Sequence, residues 1–419
     1  MAIRSRGRAS ALIAALTVLS LVLPACVSST GTATGNGVFG KTINLGILTA
    51  LSGPVADPIG KPLTRGIEVF FDSINAQGGI DGYRVQLVEK DTQYDPQREV
   101  VAYNEIHNQV LMIAESLGTE PSVALEHLAV FDHTLISAAT LSSSLVRQKY
   151  LFLIGTPYRL QVENAFDYVV NKLGVQNPRT GIIYQGDDYG LDGLTGYQEA
   201  ISFYHLHDVA QANITSGQHD MSGPVLQMKA AGAQYVVLTT VPGDTANIIL
   251  TAHALGYDPQ WIMQSPAFAR QLLAVPALAT LLAEHAWDVN QGAIWGDTSQ
   301  PGMAEMMQDV QRFAPDQQPD GFFEFGYTEA KVTYAILKKA ADAGDLTRDG
   351  LFKAFQSIGT IDLGGLYPSV HYGASGNPSD RVPTRDDTIY AIDPTAPNNV
   401  VLKDLSGDFV GQAAQQSKF

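Results

Sequence analysis

The chain is poor in cysteine, with Cys26 as the only one among 419 residues. A single cysteine excludes an internal disulfide, and it excludes metal and iron–sulfur sites built from several thiolates. Charged residues are also scarce, at 16% against 45% hydrophobic residues. That balance indicates a folded globular chain, because disordered chains are more charged and less apolar. At roughly 150 residues per domain, the length predicts about two or three domains.

Positive charge is scarcer than negative charge, and the net charge is −16. A chain with this much negative charge repels the phosphate backbone of nucleic acids. We therefore expect no nucleic-acid partner. The sequence also lacks a G-x-S-x-G nucleophile motif and an H-E-x-x-H zinc motif. An exported hydrolase such as an amidase would need an activated nucleophile, which nothing here assembles. We therefore predict a non-enzymatic protein without a cofactor.

Histidines near the middle of the chain offer a weak metal hypothesis. His205 and His207 alternate, and His219 precedes Asp220. Alternating histidines that flank a predicted edge strand are more simply interpreted as a solvated face. We therefore predict no metal site.

The N-terminus has the pattern of a secretory signal peptide. Arg4, Arg6 and Arg8 precede the uncharged segment 9–25, which ends in Leu23-Pro24-Ala25-Cys26. This ending resembles the Leu-x-x-Cys lipobox of bacterial lipoproteins, which implies cleavage after residue 25 and lipidation of Cys26. A free thiol and an uncleaved membrane helix are the alternatives, but the segment is short for a span of about 20 apolar residues. No other stretch approaches that length, so we expect no transmembrane helix in the mature protein.

Residues 26–40 are rich in Gly, Ser and Thr, which predicts a flexible tether. Within this region Gly35–Thr42 matches the P-loop pattern G-x-x-x-x-G-K-[ST]. A phosphate-binding loop needs a strand before it and a helix after it. Here a tether precedes the motif and the strand-like run Ile43–Ala50 follows it, so we predict no nucleotide site.

Strand and helix patterns alternate from residue 43 to residue 263. After the strand 43–50, apolar residues at positions 63, 67, 70, 71 and 74 mark one face of a helix. Similar alternation ends at the strand Trp261–Met263, and three helical segments follow at 303–313, 322–343 and 351–358. Residues 363–393 read as turns and short strands. Repeated βαβ units predict an α/β protein with parallel-rich sheets in two Rossmann-like lobes.

Three motifs resemble periplasmic binding proteins of the branched-chain amino acid (Leu/Ile/Val-binding) type, the extracytoplasmic ligand receptors of ABC importers. They are Ile47–Gly60 with its Leu-Ser-Gly-Pro loop, Ile74–Gly82 (INAQGGIDG), and Asp91 followed by Asp95-Pro96. Weaker matches are Gly118–Ser122, Ser137–Thr140, Tyr184–Gly190 and Gly326–Ala330. In order and spacing they cover residues 43 to about 340.

The resemblance implies a type 1 periplasmic binding protein fold, with two lobes joined by three hinge crossovers. We expect residues 1–25 as the signal peptide, 26–40 as the tether, 41–156 plus 296–359 as lobe 1, 157–295 plus 360–403 as lobe 2, and 404–419 as a C-terminal tail. The resemblance further implies an exported, lipid-anchored, monomeric receptor that delivers a small solute to an ABC permease. The alternative is a sensor of the same fold that feeds a signalling system. Neighbouring permease and ATPase genes, or a kinase gene, would discriminate the two.

The ligand is expected in the cleft between the lobes, beyond the carboxyl ends of the strands, with hinge closure around it. The candidate binding residues are Ser52, Thr119, Ser122, Ala138, Ala139, Thr140, Tyr189 and Ser265. Structural alternatives remain for several of them: a Ser-Gly-Pro turn at Ser52, helix capping at Thr119 or Ser122, and core packing at Tyr189. Asp187 and Asp188 are either helix-capping acids or cation ligands.

The loop 264–268 bears on the ligand class. In amino-acid-binding relatives an acid in the corresponding loop holds the ligand ammonium, whereas this loop reads Gln-Ser-Pro-Ala-Phe. A buried ammonium without a counter-charge costs several kcal/mol. The sequence therefore favours a small carboxylate or amide without an α-ammonium, walled by Phe268 and Tyr189. Glu120, Asp188 or Asp244 could instead supply the missing charge from another loop.

Overall fold

The computed structural model describes residues 1–2, 32–373, 378–396 and 400–419. The lipidation site predicted at Cys26 and nearly all of the predicted signal peptide lie outside the described residues. Among the described residues, no helix is both long enough and apolar enough to cross a membrane. Residues 32–419 belong to one structural unit, to which the account below refers.

The first lobe is built on a six-stranded sheet of described residues. Its strands are Val38–Phe39, Thr42–Thr49, Arg84–Asp91, Met112–Leu117, Ile136–Ala139 and Leu151–Phe152, and all but the first pairing are parallel. The helices of this lobe are Lys61–Ala76, Pro96–Ile106, Thr119–Ala124, Glu126–Asp132, Pro301–Phe313, Gly321–Asp342 and Arg348–Gln356. The apolar face predicted for the first helix is buried at every position, from Leu63 to Ile74.

The second lobe is built on a seven-stranded sheet in the described part of the chain. Its spatial order is Leu402–Asp404, Thr388–Ile392, Ala286–Asn290, Gln260–Gln264, Tyr235–Thr239, Arg179–Gln185 and His207–Ile214. The two C-terminal strands of the chain run antiparallel and the others pair in parallel. Its helices are Tyr158–Asp167, Asp188–Tyr204, Ser222–Ala231, Pro242–Ala254, Pro276–His285 and Gln412–Gln416.

The chain passes between the two sheets three times, as predicted. It leaves the first sheet after Phe152, returns to the first lobe after Asn290, and re-enters the second sheet at Thr388. Two short pairings complete the strands: Ala33–Thr34 with Asp345–Leu346, and Gly359–Ile361 with Val370–Tyr372. The α/β class and the two-lobed arrangement are confirmed.

The structure differs from the expected segment boundaries at three places. Within the predicted tether 26–40, residues 33–34 pair with residues 345–346 and residues 38–39 pair with residues 42–43, because strand pairing uses backbone groups and needs no periodic apolar side chains. Residues 361–372, assigned to lobe 2, pack in the core of the first lobe, where the Tyr372 hydroxyl donates to the Leu153 carbonyl at 2.5 Å. Residues 412–416, in the expected tail, form a helix against Tyr158–Asp167.

Candidate functional site

A cavity of about 490 Å³ including its open mouth, here called chamber A, lies where loops from both sheets meet. The first lobe supplies residues that follow its strands: Tyr94, Gly118, Thr119, Ala139, Thr140 and Leu141. The second lobe supplies Tyr158, Tyr189, Val241, Ser265 and Pro266, and the helix Gly321–Asp342 adds Phe322 and Phe325. Chamber A therefore lies at the carboxyl ends of the parallel strands, between the lobes, as the sequence predicted.

Two threonine hydroxyls of chamber A, those of Thr119 and Thr140, lie side by side. Their Oγ1 atoms lie 2.7 Å apart, and Thr140 lies 3.4 Å from the hydroxyl of Tyr158. Thr119 begins a helix at the end of the strand Met112–Leu117, and Thr140 directly follows the strand Ile136–Ala139. The two side chains are each 2% exposed. They form a small polar patch that can donate to or accept from a ligand group.

Aromatic rings form much of the remaining wall. Tyr189 is buried and packs edge-to-face on Tyr158, with ring centroids 4.8 Å apart. Burial raises the pKa of Tyr158 to about 12 and raises the pKa values of Tyr94 and Tyr189 above their ordinary range. These hydroxyls stay protonated at neutral pH, so they remain donors.

Gly118 lets Tyr94 reach the cavity. Its φ of 104° is accessible to glycine, and a Cβ there would lie 2.4 Å from Cε2 of Tyr94. The ring of Tyr94 therefore packs over the backbone at the junction of strand and helix. A larger residue at position 118 would push the ring out of this position.

Among the described residues that line chamber A there is no Asp, Glu, Lys, Arg or His. The three acids considered as alternative counter-charges also stay outside its lining: Glu120, Asp188 and Asp244. The Asp244 carboxylate instead accepts from the Gly217 amide at 3.1 Å. Asp187 caps the helix Asp188–Tyr204 by accepting from the Gly190 amide at 3.0 Å. Of the two roles considered for Asp187, helix capping and cation binding, this geometry is the capping one. Chamber A is thus polar at its hydroxyls but carries no formal charge.

Of the predicted binding residues, Thr119, Ala139, Thr140, Tyr189 and Ser265 come together around chamber A. The other three do not line it. The exposed Ser52 donates its hydroxyl to Asp91 at 2.6 Å, which fits a turn. Buried Ser122 donates to the Ser116 carbonyl at 2.9 Å, and Ala138 packs in a core cluster of the first lobe.

Sequence reasoning missed Tyr94, Tyr158, Phe322 and Phe325. Tyr94 had a signal, because it lies inside the Asp91–Pro96 motif that follows a strand. Tyr158 follows the last strand of the first sheet, before the helix that leads into the second lobe. The two phenylalanines begin a helix more than 200 residues after Thr119 in sequence, and no local pattern connects them with the cleft.

A family model described as periplasmic binding protein matches residues 42–387 of this chain. That range contains both sheets apart from the strands Val38–Phe39, Thr388–Ile392 and Leu402–Asp404, and it contains every described residue that lines chamber A.

The chain belongs to the periplasmic binding protein family.

Individual relatives agree with this assignment. The "Leu/Ile/Val-binding protein homolog 7" of Brucella suis is 24% identical over 329 residues, which are 71% of this chain and 77% of the relative. A fatty acid ABC transporter substrate-binding protein from Thermomonospora curvata has a similar structure, with a TM-score of 0.86 and 27% identity over 93% of this chain and 98% of its own. A branched chain amino acid ABC transporter structure from Thermus thermophilus, with bound valine, has a TM-score of 0.78 at 17% identity, and the match covers 90% of this chain and 99% of the other.

Direct contacts join the lobes of this binding protein around the cleft. On one side, Asp192 accepts from the amide of Ser143 at 2.8 Å and also from its hydroxyl. Burial raises the pKa of Asp192 to about 6, although these hydrogen bonds oppose the shift. On another side, Arg270 donates to Gln318 and Gln271 donates to Asp320, each at 3.1 Å. The structure therefore has the lobes in contact, with chamber A between them.

Proposed function

We propose that this periplasmic binding protein is the extracytoplasmic substrate-binding lipoprotein of an ABC importer. It captures a small carboxylate or amide without an α-ammonium in chamber A and delivers it to a membrane permease. The protein acts as a monomer whose lobes close on the solute.

The observation that carries this ligand class is that the described lining of chamber A offers hydroxyl donors, which a carboxylate or amide oxygen can use, but no carboxylate to pair with an ammonium. An α-amino acid brings an ammonium, which loses its hydration in a buried cleft and costs several kcal/mol without an anionic partner. The hydroxyls of Thr119 and Thr140 suit a carboxylate or an amide, since each can donate a hydrogen bond to an oxygen. The aromatic and aliphatic walls suit the apolar remainder of such a solute.

The similar structures point to both ligand classes. The neighbour with 27% identity is titled a fatty acid transporter component, whereas the one with bound valine shares 17% identity. A fatty acid is a carboxylate without an ammonium. The higher identity to the fatty acid transporter component and the lining of chamber A together favour a carboxylate without an ammonium over an α-amino acid.

A thermal-shift screen tests the ligand class. Leucine, isoleucine and valine are compared with their deaminated analogues, such as 4-methylpentanoate for leucine. A ligand at about 100 times its dissociation constant adds roughly 2.7 kcal/mol of stability, which gives a clear rise in Tm. We expect the deaminated acids to raise Tm. Stabilisation by the amino acids alone would refute the proposal.

We further propose that a lipid on Cys26 holds the mature protein at the outer face of the cell membrane. The support is the arginine-rich start, the apolar segment and the Leu-x-x-Cys ending at this residue. Changing Cys26→Ser should release the protein from membrane fractions or leave a precursor of higher mass. Unchanged fractionation together with unchanged mass would contradict the lipid anchor.

A further inference from the structure

A second cavity, here called chamber B, adjoins chamber A and occupies about 750 Å³ including its open mouth. The two chambers share four lining residues: Ser265, Pro266, Phe322 and Phe325. We call these four residues the throat. Two come from the loop after the strand Gln260–Gln264, and two come from the first turns of the helix Gly321–Asp342. These four residues from both lobes stand between the two chambers, so a ligand that occupies both must pass beside them.

The far part of chamber B is largely apolar. Beyond the throat its walls include Phe268, Ala293, Ile294, Trp295 and Leu402. These side chains are only partly buried; Ala293 and Trp295 pack against the core of the first lobe, and Phe268 and Leu402 against that of the second. A solute confined to chamber A would leave this surface unused.

The ionisable groups that line chamber B are largely engaged with the protein. Asp320 accepts from the amides of Phe322 and Phe323 at the start of the helix, at 3.1 and 3.0 Å. Arg270 donates to Gln318. Asp288 and Glu324 are 1% and 7% exposed, and burial raises the pKa of Asp288 to about 7 and that of Glu324 well above its ordinary range. Burial favours the neutral form of both carboxyls, which lowers their demand for a cationic partner.

We propose that chamber B receives the apolar chain of an elongated monocarboxylate whose head lies at Thr119 and Thr140. The chain passes through the throat between Phe322 and Pro266. This inference rests on the proposed function, because it extends the same ligand beyond chamber A. The inference also says what determines ligand specificity. The depth of chamber B sets the preferred length of the apolar chain, and the throat admits unbranched chains best.

The test is a titration of the whole mature protein with straight-chain carboxylates from butanoate to decanoate. Burying one methylene contributes about 0.8 kcal/mol, which is roughly a fourfold gain in affinity. Decanoate has four more methylenes than hexanoate, so we expect it to bind roughly 250-fold more tightly. Equal affinities for the two would overturn the inference and leave the proposed function intact. Failure of every carboxylate to bind would refute both.

Two variants locate the chain. Ala293→Phe fills chamber B from one wall, and Leu402→Trp fills it from the other. Each should weaken decanoate binding at least tenfold and leave hexanoate binding within twofold of the unmodified protein. Ala293→Ser is the matched control and should keep the full gain with chain length. The inference would be overturned if both variants had the Tm of the unmodified protein and still bound decanoate more tightly than hexanoate by the same factor. The apolar chain of the ligand would then lie outside chamber B.

Discussion

At the scale of single residues, the hydroxyl pair in chamber A is the polar feature that a carboxylate would use. Thr119 and Thr140 come from adjacent strands of the first sheet, so the parallel pairing brings their side chains together. Ser122 had the same local signal, a hydroxyl near a helix start, but its hydroxyl turns back to Ser116. The composition of a loop therefore predicts which groups are near a cleft, while the direction of each side chain depends on the packing.

Replacing Thr140→Val should weaken hexanoate binding about tenfold. The change keeps the side-chain shape, removes one donor to the ligand and leaves the Thr119 hydroxyl without its 2.7 Å partner, which costs about 1–3 kcal/mol. Calorimetric titration measures the affinity. Thr245→Val is the matched control, because it breaks a buried 2.7 Å pair with Thr240 that does not line chamber A. If Thr140→Val left the affinity for hexanoate unchanged, the hydroxyl pair would not contact the ligand.

Buried glutamates in the first lobe make a second prediction at this scale. Glu115 and Glu329 are fully buried, and burial raises the pKa of Glu329 to about 8 and that of Glu115 well above its ordinary range. Between about pH 4.5 and pH 8 the native state therefore binds more protons at these groups than the unfolded state. The free energy of unfolding should accordingly fall as pH rises through that window.

In Glu329→Gln the free energy of unfolding should fall less steeply with rising pH, because the amide cannot ionise. The variant should match the unmodified protein near pH 5 and exceed its stability near pH 8.5 by roughly 1–4 kcal/mol. Denaturant unfolding at both pH values measures the difference. Glu284→Gln is the control, since its side chain is 63% exposed. Parallel pH curves for Glu329→Gln and the unmodified protein would contradict an acid held neutral by burial.

At the scale of elements, the helices Lys61–Ala76 and Gly321–Asp342 approach each other through two glycines. A Cβ on Gly326 would lie 1.9 Å from the Leu63 carbonyl oxygen, and one on Gly66 would lie 2.1 Å from that of Phe323. Leu63, Phe322 and Phe325 line chamber A from the same two helices. The close packing of this helix pair therefore fixes one wall of the site.

Gly326→Ala should separate the helices and destabilise the protein by roughly 2 kcal/mol or more, because overpacking forces the backbone to move. It should also weaken hexanoate binding, since the chamber wall moves with the helices. Thermal unfolding and titration give the two values. Gly223→Ala is the control: a Cβ there meets no atom within 4 Å, and the position lies in the first turn of a helix. If Gly326→Ala and Gly223→Ala had the same stability and the same affinity for hexanoate, the close contact at Gly326 would not position the wall of chamber A.

The elements that the sequence predicted are those with strong periodicity. The helix face from Leu63 to Ile74 and the buried strand Thr42–Thr49 are examples. The strand Ala286–Asn290 was missed because polar Asp288 and Asn290 interrupt its apolar pattern. Chamber B could not be predicted, because its walls come from five segments between residues 265 and 402 that only the tertiary fold brings together.

At the scale of the whole molecule, the two lobes share the site and meet beside it. Asp192 of the second lobe accepts from Ser143 of the first, and Gln271 donates to Asp320 near the throat. Both lobes contribute residues to chamber A, so a solute that fills it would bridge the two lobes. The charge of that solute decides between an amino-acid receptor and a receptor for simple acids.

Calorimetric titration with hexanoate and norleucine tests this claim most directly. The two solutes have the same six-carbon chain and carboxylate, and they differ only in the α-ammonium. The uncharged lining of chamber A predicts that hexanoate binds and that norleucine binds at least a hundredfold more weakly, because its ammonium finds no anionic partner. Tight binding of norleucine with no binding of hexanoate would contradict the account.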